Sequence, residues 1–171
     1  MPWVYDGNHS VIAFDNRHLG LSIIKGRFNR AEVALSIDDE DLTRSSVTAV
    51  IDATSIDTGN ERRDDTLRGD IYLDVARFPT IDFRSSAIEQ EGSRYVIVGS
   101  LTLHGATHEV RLLTTINGEL TDQRGITHRG FSAQIAIRRS DYGISTTLVE
   151  GVFMAADAIH LSIELETTLR D

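Results

Sequence analysis

The chain contains no cysteine and only two prolines in 171 residues. The absence of cysteine excludes disulfide bonds, thiol catalysis and thiolate metal sites. No apolar run approaches the roughly 20 residues of a membrane-spanning helix. The sequence also opens without a basic segment followed by an apolar run, the pattern of a secretory signal. We therefore expect a cytoplasmic protein without an integral membrane segment, although a mature periplasmic or secreted form would look the same.

Basic residues are outnumbered by acidic ones, 17 to 26, which gives a formal net charge of −9. An acidic surface is repelled by nucleic acid phosphates and by anionic membrane faces, so we expect no nucleic acid partner. Hydrophobic residues make up 40% of the chain, which is enough for a sizeable core. Without a linker or an internal repeat, residues 1–171 are predicted to form a single domain.

What the chain does contain is apolar residues at every second position. In the segment 158–166, Ile159, Leu161 and Ile163 alternate with polar residues. This alternation is typical of half-buried antiparallel strands. It recurs about nine times along the chain, which predicts an all-β fold such as a barrel or sandwich.

One segment interrupts the strands with a helical pattern. Residues 60–79 begin with Asn60, a favourable N-cap, and end at Pro79, a helix stop. We expect a helix there that packs across one end of the sheet. Alternating charges at 61–65 are typical of ion pairs on the exposed face of a helix.

Two histidines four residues apart, His104 and His108, would share one face of a helix and suggest a metal site. They lie between two alternating runs, with Gly105 at the bend. This context predicts a hairpin turn with both imidazoles exposed to solvent. The sequence also lacks nucleotide-binding loops and nucleophile elbows, and the acidic run 38–41 lacks the glycine and glutamate of a calcium loop. We therefore predict no metal site, no cofactor and no catalytic residues.

The order of several short motifs resembles the YceI-like family of polyisoprenoid-binding proteins. The matching stretches, in chain order, are "HSVIAFDNRHLG", "KGRFN", "SVTAVIDATSIDTGNERRDDTLRG", "YLDVARFPTIDFRSS", "YVIVGSLTLHGATHEVRL" and "RRSDYGI". Each is weak alone, but the ordered series covers nearly the whole chain. The resemblance implies a lipocalin-like fold, an extended eight-stranded antiparallel β-barrel whose hydrophobic bore holds a long isoprenoid or similar amphiphile. Many family members carry a cleaved signal, which this sequence does not show.

An eight-stranded barrel is just wide enough to be filled by side chains or to hold one slender ligand. Gly99, Ala49 and Ala133 lie on apolar strand faces and would leave room for a ligand. The same faces would also suit an ordinary filled core, and the pattern alone does not separate the two. The candidate bore residues, one or more from most strands, are Ile12, Phe14, Phe28, Leu35, Ile51, Phe83, Ile97, Leu101, Leu112, Phe131, Ile135 and Leu161.

Two polar residues continue apolar strand faces. His18 follows the Ile12–Phe14 face and Arg139 follows the Phe131–Ile137 face. An inward-facing charge is costly unless it meets a partner or lies at a wet mouth. We expect both near one end of the bore, where they would contact a polar or phosphorylated head group. The alternative for Arg139 is a surface pair with Asp141.

The sequence therefore predicts a non-catalytic protein that carries or sequesters a long-chain isoprenoid or similar lipid. One rival is an enzyme acting on a small apolar substrate inside the barrel, although no convergent acid–base pair is evident. A second rival is a filled β-sandwich that serves as an interaction module. Exposed strand edges make a homodimer possible.

Overall fold

A computed structural model of the protein describes residues 2–144, 148–149, 152–153 and 155–170. Ten of its strands form one antiparallel sheet, and two short strands pair with each other separately. The strands are Trp3–His18 (β1), Ser22–Phe28 (β2), Ala31–Ser36 (β3), Ser46–Asp52 (β4), Ile56–Asp57 (β5), Thr80–Glu91 (β6), Arg94–Leu103 (β7), Ala106–Thr121 (β8), Thr127–Arg138 (β9), Leu148–Val149 (β10), Val152–Phe153 (β11) and Ala158–Leu169 (β12). The helix Glu61–Arg68 (α1) and the 3₁₀ turns Leu42–Arg44, Ala53–Ser55 and Arg139–Tyr142 complete the described fold.

Each long strand pairs with its neighbours so that the sheet curls round an interior, in the order β3-β4-β6-β7-β8-β9-β12-β1-β2-β5. The order closes on itself because β3, at one end, directly follows β2, which lies next to the other end. The bend between β2 and β3 bonds to the junction of β4 and β5: the Asn29 amide donates to Ser55 O at 3.1 Å, and the Asp52 amide donates to Arg30 O at 3.0 Å. β2 and β3 are thus the two halves of one bent strand, paired with β1 on one side and with β4 and β5 on the other.

The predicted all-β class with a short helical segment is confirmed. Nine strands of six or more residues occur in the described part of the chain, where the sequence predicted about nine strands and the resemblance an eight-stranded barrel. The sheet itself has ten strands and not eight, because the bend at residues 29–30 and the 3₁₀ turn at residues 53–55 each divide one strand in two. Counting each interrupted pair once, the ladder connects eight strands.

Apolar side chains on the concave face form the core. The buried cluster includes Ile51, Ile81, Leu101 and Val110, and Tyr72 from the segment after α1 packs against it. The opposite face carries the polar residues of the alternation, and there Arg111 and Glu89 form an ion pair across two strands at 2.7 Å. The period-two pattern of the sequence therefore separates an apolar interior from a charged exterior.

The helix α1 begins where the sequence predicted, but it is shorter. Asn60 is its N-cap, with its side-chain oxygen accepting from the Arg63 amide at 3.0 Å. The helix ends at Arg68, not near Pro79, because the chain turns at Gly69 and continues through irregular turns to the next strand. Among the described helices, none is long and apolar enough to cross a membrane.

Asp64 anchors α1 to the sheet. This carboxylate is buried and accepts from the amide and the hydroxyl of Thr58, at 2.9 and 2.6 Å. Arg68 adds hydrogen bonds to the carbonyls of Thr54 and Ile56, at 2.9 and 3.2 Å. The charged run at 61–65 was predicted to lie on an exposed helix face. One of its carboxylates, that of Asp64, is instead buried and accepts hydrogen bonds inside the fold.

Candidate functional site

A cavity of about 480 Å³ lies inside the curled sheet. Its volume falls within the roughly 300–1,000 Å³ range of small-molecule binding sites. The wall reaches from Leu35, Leu42 and Tyr95 at one end to His18 and Arg139 at the end covered by α1. Most of the lining side chains are aliphatic or aromatic, so the cavity would favour an apolar ligand.

All fourteen residues predicted from the sequence to face the bore lie in the wall of this cavity. They are Ile12, Phe14, His18, Phe28, Leu35, Ile51, Phe83, Ile97, Leu101, Leu112, Phe131, Ile135, Arg139 and Leu161. Their common position follows from the strand period, which places alternate residues on the concave face. Direct contact of these residues with a ligand stays a prediction.

Other lining residues come from outside the strands. Arg63 and Leu67 project from α1, and Tyr72 and Leu73 follow it in the irregular segment. Ile144 follows the 3₁₀ turn at residues 139–142. The period-two pattern does not identify these residues, because it assigns faces only within strands. The apolar pair Tyr72–Leu73, inside the helix predicted over residues 60–79, was the available signal.

Of the small residues predicted to leave room, Ala49 and Ala133 line the cavity. Gly99 has a different role. A Cβ there would lie 2.6 Å from the Phe83 ring and 2.5 Å from Arg84 O. The Phe83 ring therefore fills the space above Gly99, and the prediction that this glycine leaves room for a ligand is wrong.

The polar residues of the wall gather mainly at the end covered by α1. Asn16 donates to Ala156 O at 2.7 Å, and His18 forms an isolated β-bridge with Ala155. Arg139 is only 4% exposed, and its guanidinium carbon lies 5.6 Å from the centre of the Tyr72 ring. Burial lowers the pKa of the Arg139 guanidinium.

The alternative of a surface pair between Arg139 and Asp141 is wrong. Arg139 is buried, and the Asp141 carboxylate pairs with the neighbouring Arg138 at 3.5 Å. Arg138, the last residue of β9, is exposed, whereas Arg139, the first residue of the 3₁₀ turn, is buried. Only Arg139 is directed into the cavity wall.

The histidines at the β7–β8 hairpin are also placed differently from the prediction. The predicted hairpin is confirmed, and its turn is the two residues His104 and Gly105, both with positive φ. His104 is half-buried, so the expectation that both imidazoles are free in solvent is wrong. His108 is exposed, but it lies within β8 and bonds to Asp141 O at 2.7 Å.

One group of potential metal ligands lies outside the cavity. Single ligand atoms of Asp6, His9 and Glu166 come within 4.8 Å of one another, where β1 bulges between Asp6 and Val11. Asp6 and His9 already bond to each other at 2.8 Å, and Glu166 bonds to His128 at 2.8 Å. All three side chains therefore already have partners, Glu166 with a histidine outside the group. The sequence does not indicate this group, because Glu166 lies far along the chain from Asp6 and His9.

Comparisons with known proteins agree with this architecture. The YceI-like domain model matches residues 3–167. A UPF0312 protein of Yersinia pestis is 36% identical over 143 residues, which cover 84% of this chain and 74% of the relative. The crystal structure of a Campylobacter jejuni YCEI protein aligns with a TM-score of 0.78 at 25% identity, covering 91% of this chain and 90% of that one.

Two further structures share the fold at lower identity. Burkholderia cenocepacia BcnA aligns with a TM-score of 0.84 at 22% identity, over 95% of this chain and 98% of BcnA. A polyisoprenoid binding domain from Saccharophagus degradans, implicated in plant cell wall breakdown, aligns with a TM-score of 0.68 at 13% identity over 99% of both chains. The family match over nearly the whole chain, together with the cavity-forming sheet, shows that this protein is a member of the YceI-like domain family.

Proposed function

We propose that this protein binds a long-chain isoprenoid or similar amphiphilic lipid in its cavity and carries or sequesters it without chemical change. The observation that carries the proposal is a continuous apolar cavity, whose described wall reaches from one end of the sheet to the other. The same fold in a polyisoprenoid binding domain of Saccharophagus degradans supports the class of ligand.

The energetics of burial favour a slender hydrocarbon. Eight residues of strand span about 27 Å at ~3.4 Å per residue, which suits a chain lying along the axis. Transfer of each methylene from water is worth roughly 0.8 kcal/mol. A ligand of many such groups therefore needs few polar contacts to bind. The wall, which is mostly apolar, offers few.

A binding role without catalysis is supported by the chemistry of the wall. No aspartate or glutamate lines the cavity among the described residues. General acid–base catalysis needs a positioned side chain that transfers a proton, most often a histidine or a carboxylate, and His18 is the sole imidazole in the described wall. We therefore expect any bound lipid to leave the cavity with its covalent structure unaltered.

The polar end of the cavity supports a position for the ligand's head group. Arg139, with His18 near the same end, would contact a polar or phosphorylated group there, while the apolar tail extends along the strands. A guanidinium presents several N–H donors in a geometry that matches phosphate. This orientation places the charged group of the ligand beside a buried cation.

The test is native mass spectrometry of the protein purified from its own host, with two variants. Ala133 lines the cavity, whereas Ala136, on the same strand, faces outward and is exposed. We expect co-purified lipid of unchanged mass on the wild type and on Ala136→Phe, and its loss from Ala133→Phe. A wild-type protein without lipid that also fails to take up prenyl alcohols would refute the proposal.

A further inference from the structure

Each of the two histidines of the β7–β8 hairpin bonds to the 3₁₀ turn at residues 139–142. His104 Nδ1 lies 3.0 Å from Tyr142 O, and His108 Nε2 lies 2.7 Å from Asp141 O. Since a carbonyl oxygen only accepts, each imidazole must donate through the nitrogen named. The last carbonyls of a helical turn have no partner within the turn, so the histidines cap its C-terminal end.

Packing between aromatic rings also holds the 3₁₀ turn against the β7–β8 hairpin. The His108 ring meets Tyr142 edge-on, with centroids 4.9 Å apart, and the His104 ring lies 4.9 Å from Phe78. Tyr142 is only 2% exposed and belongs to the buried cluster with Leu103. The turn is therefore held against the hairpin by two hydrogen bonds and a buried aromatic ring.

Asp157 holds the other side of the turn. Its carboxylate accepts from the amide and hydroxyl of Ser140, at 2.9 and 2.8 Å. The Asp157 carbonyl accepts from the Arg139 amide at 2.9 Å. Arg139 is the first residue of the turn, so the direction of its side chain depends on how the turn is seated.

We propose that His104 and His108 are positioning residues, which seat this turn so that the Arg139 guanidinium stays in the cavity wall, where it would contact an anionic head group. This inference rests on the proposed lipid-binding function and extends it to ligand selectivity. The histidines contact the turn and not the ligand. Their loss should therefore weaken binding of an anionic amphiphile and spare its neutral counterpart.

Farnesyl phosphate and farnesol are suitable probes because they share one tail and differ in charge. His108→Phe keeps a ring against Tyr142 and removes the Nε2 donor, whereas His108→Gln keeps a donor at a similar reach. We expect His108→Phe to weaken farnesyl phosphate binding roughly fivefold, the loss of one net hydrogen bond, with farnesol unchanged. His108→Gln should bind both probes like the wild type.

A second pair of variants, at His104, tests the inference independently. Asn and Asp both tolerate the positive φ at this position, but only Asn donates to Tyr142 O. We expect His104→Asp to show the selective loss and His104→Asn to bind normally. Circular dichroism establishes that each variant is folded, and a variant that unfolds leaves the other pair to decide.

Several results would overturn the inference: an equal loss of both probes, no loss of either, or a conservative variant that behaves like the disruptive one. A wild-type protein that binds farnesol and not farnesyl phosphate would also overturn it, while leaving lipid binding intact. A wild type that binds neither probe would instead refute the proposed function itself.

Discussion

Gly99 shows how one residue shapes the cavity wall. The absence of a side chain lets the Phe83 ring approach within van der Waals distance of the β7 backbone, beside Arg84 O. We expect Gly99→Ala to lower the free energy of unfolding by about 2 kcal/mol, because overpacking of a tight site forces neighbouring groups to shift. Urea denaturation measures this change.

Gly130 provides the matched control for that substitution. It lies in β9, and a Cβ there would be 3.6 Å from Asn117, which is an ordinary contact. Gly130→Ala should be neutral or slightly stabilising, since alanine restricts the unfolded chain. Equal urea midpoints for the two variants would show that close packing of the Phe83 ring against Gly99 does not exclude a side chain at that position.

Arg139 and Arg138 test the head-group proposal at adjacent positions. Arg139 is buried in the cavity wall, and Arg138 is exposed and paired with Asp141. We expect Arg139→Ala to weaken farnesyl phosphate binding about tenfold, as loss of a charge-assisted hydrogen bond would. Farnesol affinity should stay within twofold, and Arg138→Ala should change neither. A loss by Arg139→Ala that is equal for both ligands rules out a head-group role.

Among the elements, the β8–β9 hairpin depends on a single carboxylate. Asp122 accepts from the amides of Arg124 and Ile126, at 2.8 and 3.0 Å. The hydrogen bond from the Ile126 amide is the largest influence that lowers the pKa of Asp122, to about 2. In an unfolded chain the pKa of an aspartate is about 3.9. The ionised group therefore stabilises the fold at pH values above 4, and this contribution is lost as the pH falls through about 2.

Asp122→Asn should accordingly unfold at a lower urea concentration than the wild type at pH 7. The difference should narrow as the pH falls from about 4 to 2, because the wild-type carboxyl then protonates. Asp70→Asn, at an exposed position in the segment after α1, serves as the control and should match the wild type throughout. A gap between Asp122→Asn and wild type that persists below pH 2 would contradict this account.

The sequence predicted the elements better than their junctions. Alternation identified the strands and the face of each, since burial of a sheet on one side imposes period two. It missed the bend at residues 29–30 and the bulge in β6 between Ser85 and Ala87, where the register shifts. Such irregularities depend on partners distant in sequence. For the same reason, nothing near His108 indicated its bond to Asp141 O.

At the scale of the molecule, a sheet that curls round an apolar cavity is less stable than the same sheet round a filled core. A filled core would gain dispersion contacts in that volume. The proposed lipid would restore these contacts, and a ligand that binds only the folded state stabilises it by mass action. Thermal stability should therefore report occupancy of the cavity.

Delipidated protein should accordingly unfold at a lower temperature than protein with bound lipid. At a free farnesol concentration of 100 times Kd, binding adds about 2.7 kcal/mol. For a chain of this size that corresponds to a rise in Tm of roughly 5–10 °C. Differential scanning calorimetry of the delipidated protein with and without farnesol measures the shift.

The variants at Ala133 and Ala136 locate the source of this stabilisation. Ala133→Phe fills the cavity from within, so its Tm should respond little to farnesol, whereas Ala136→Phe should respond like the wild type. An equal rise for Ala133→Phe would mean that farnesol binds on the outer surface. The apolar interior would then be a packing defect of the fold and not its binding site.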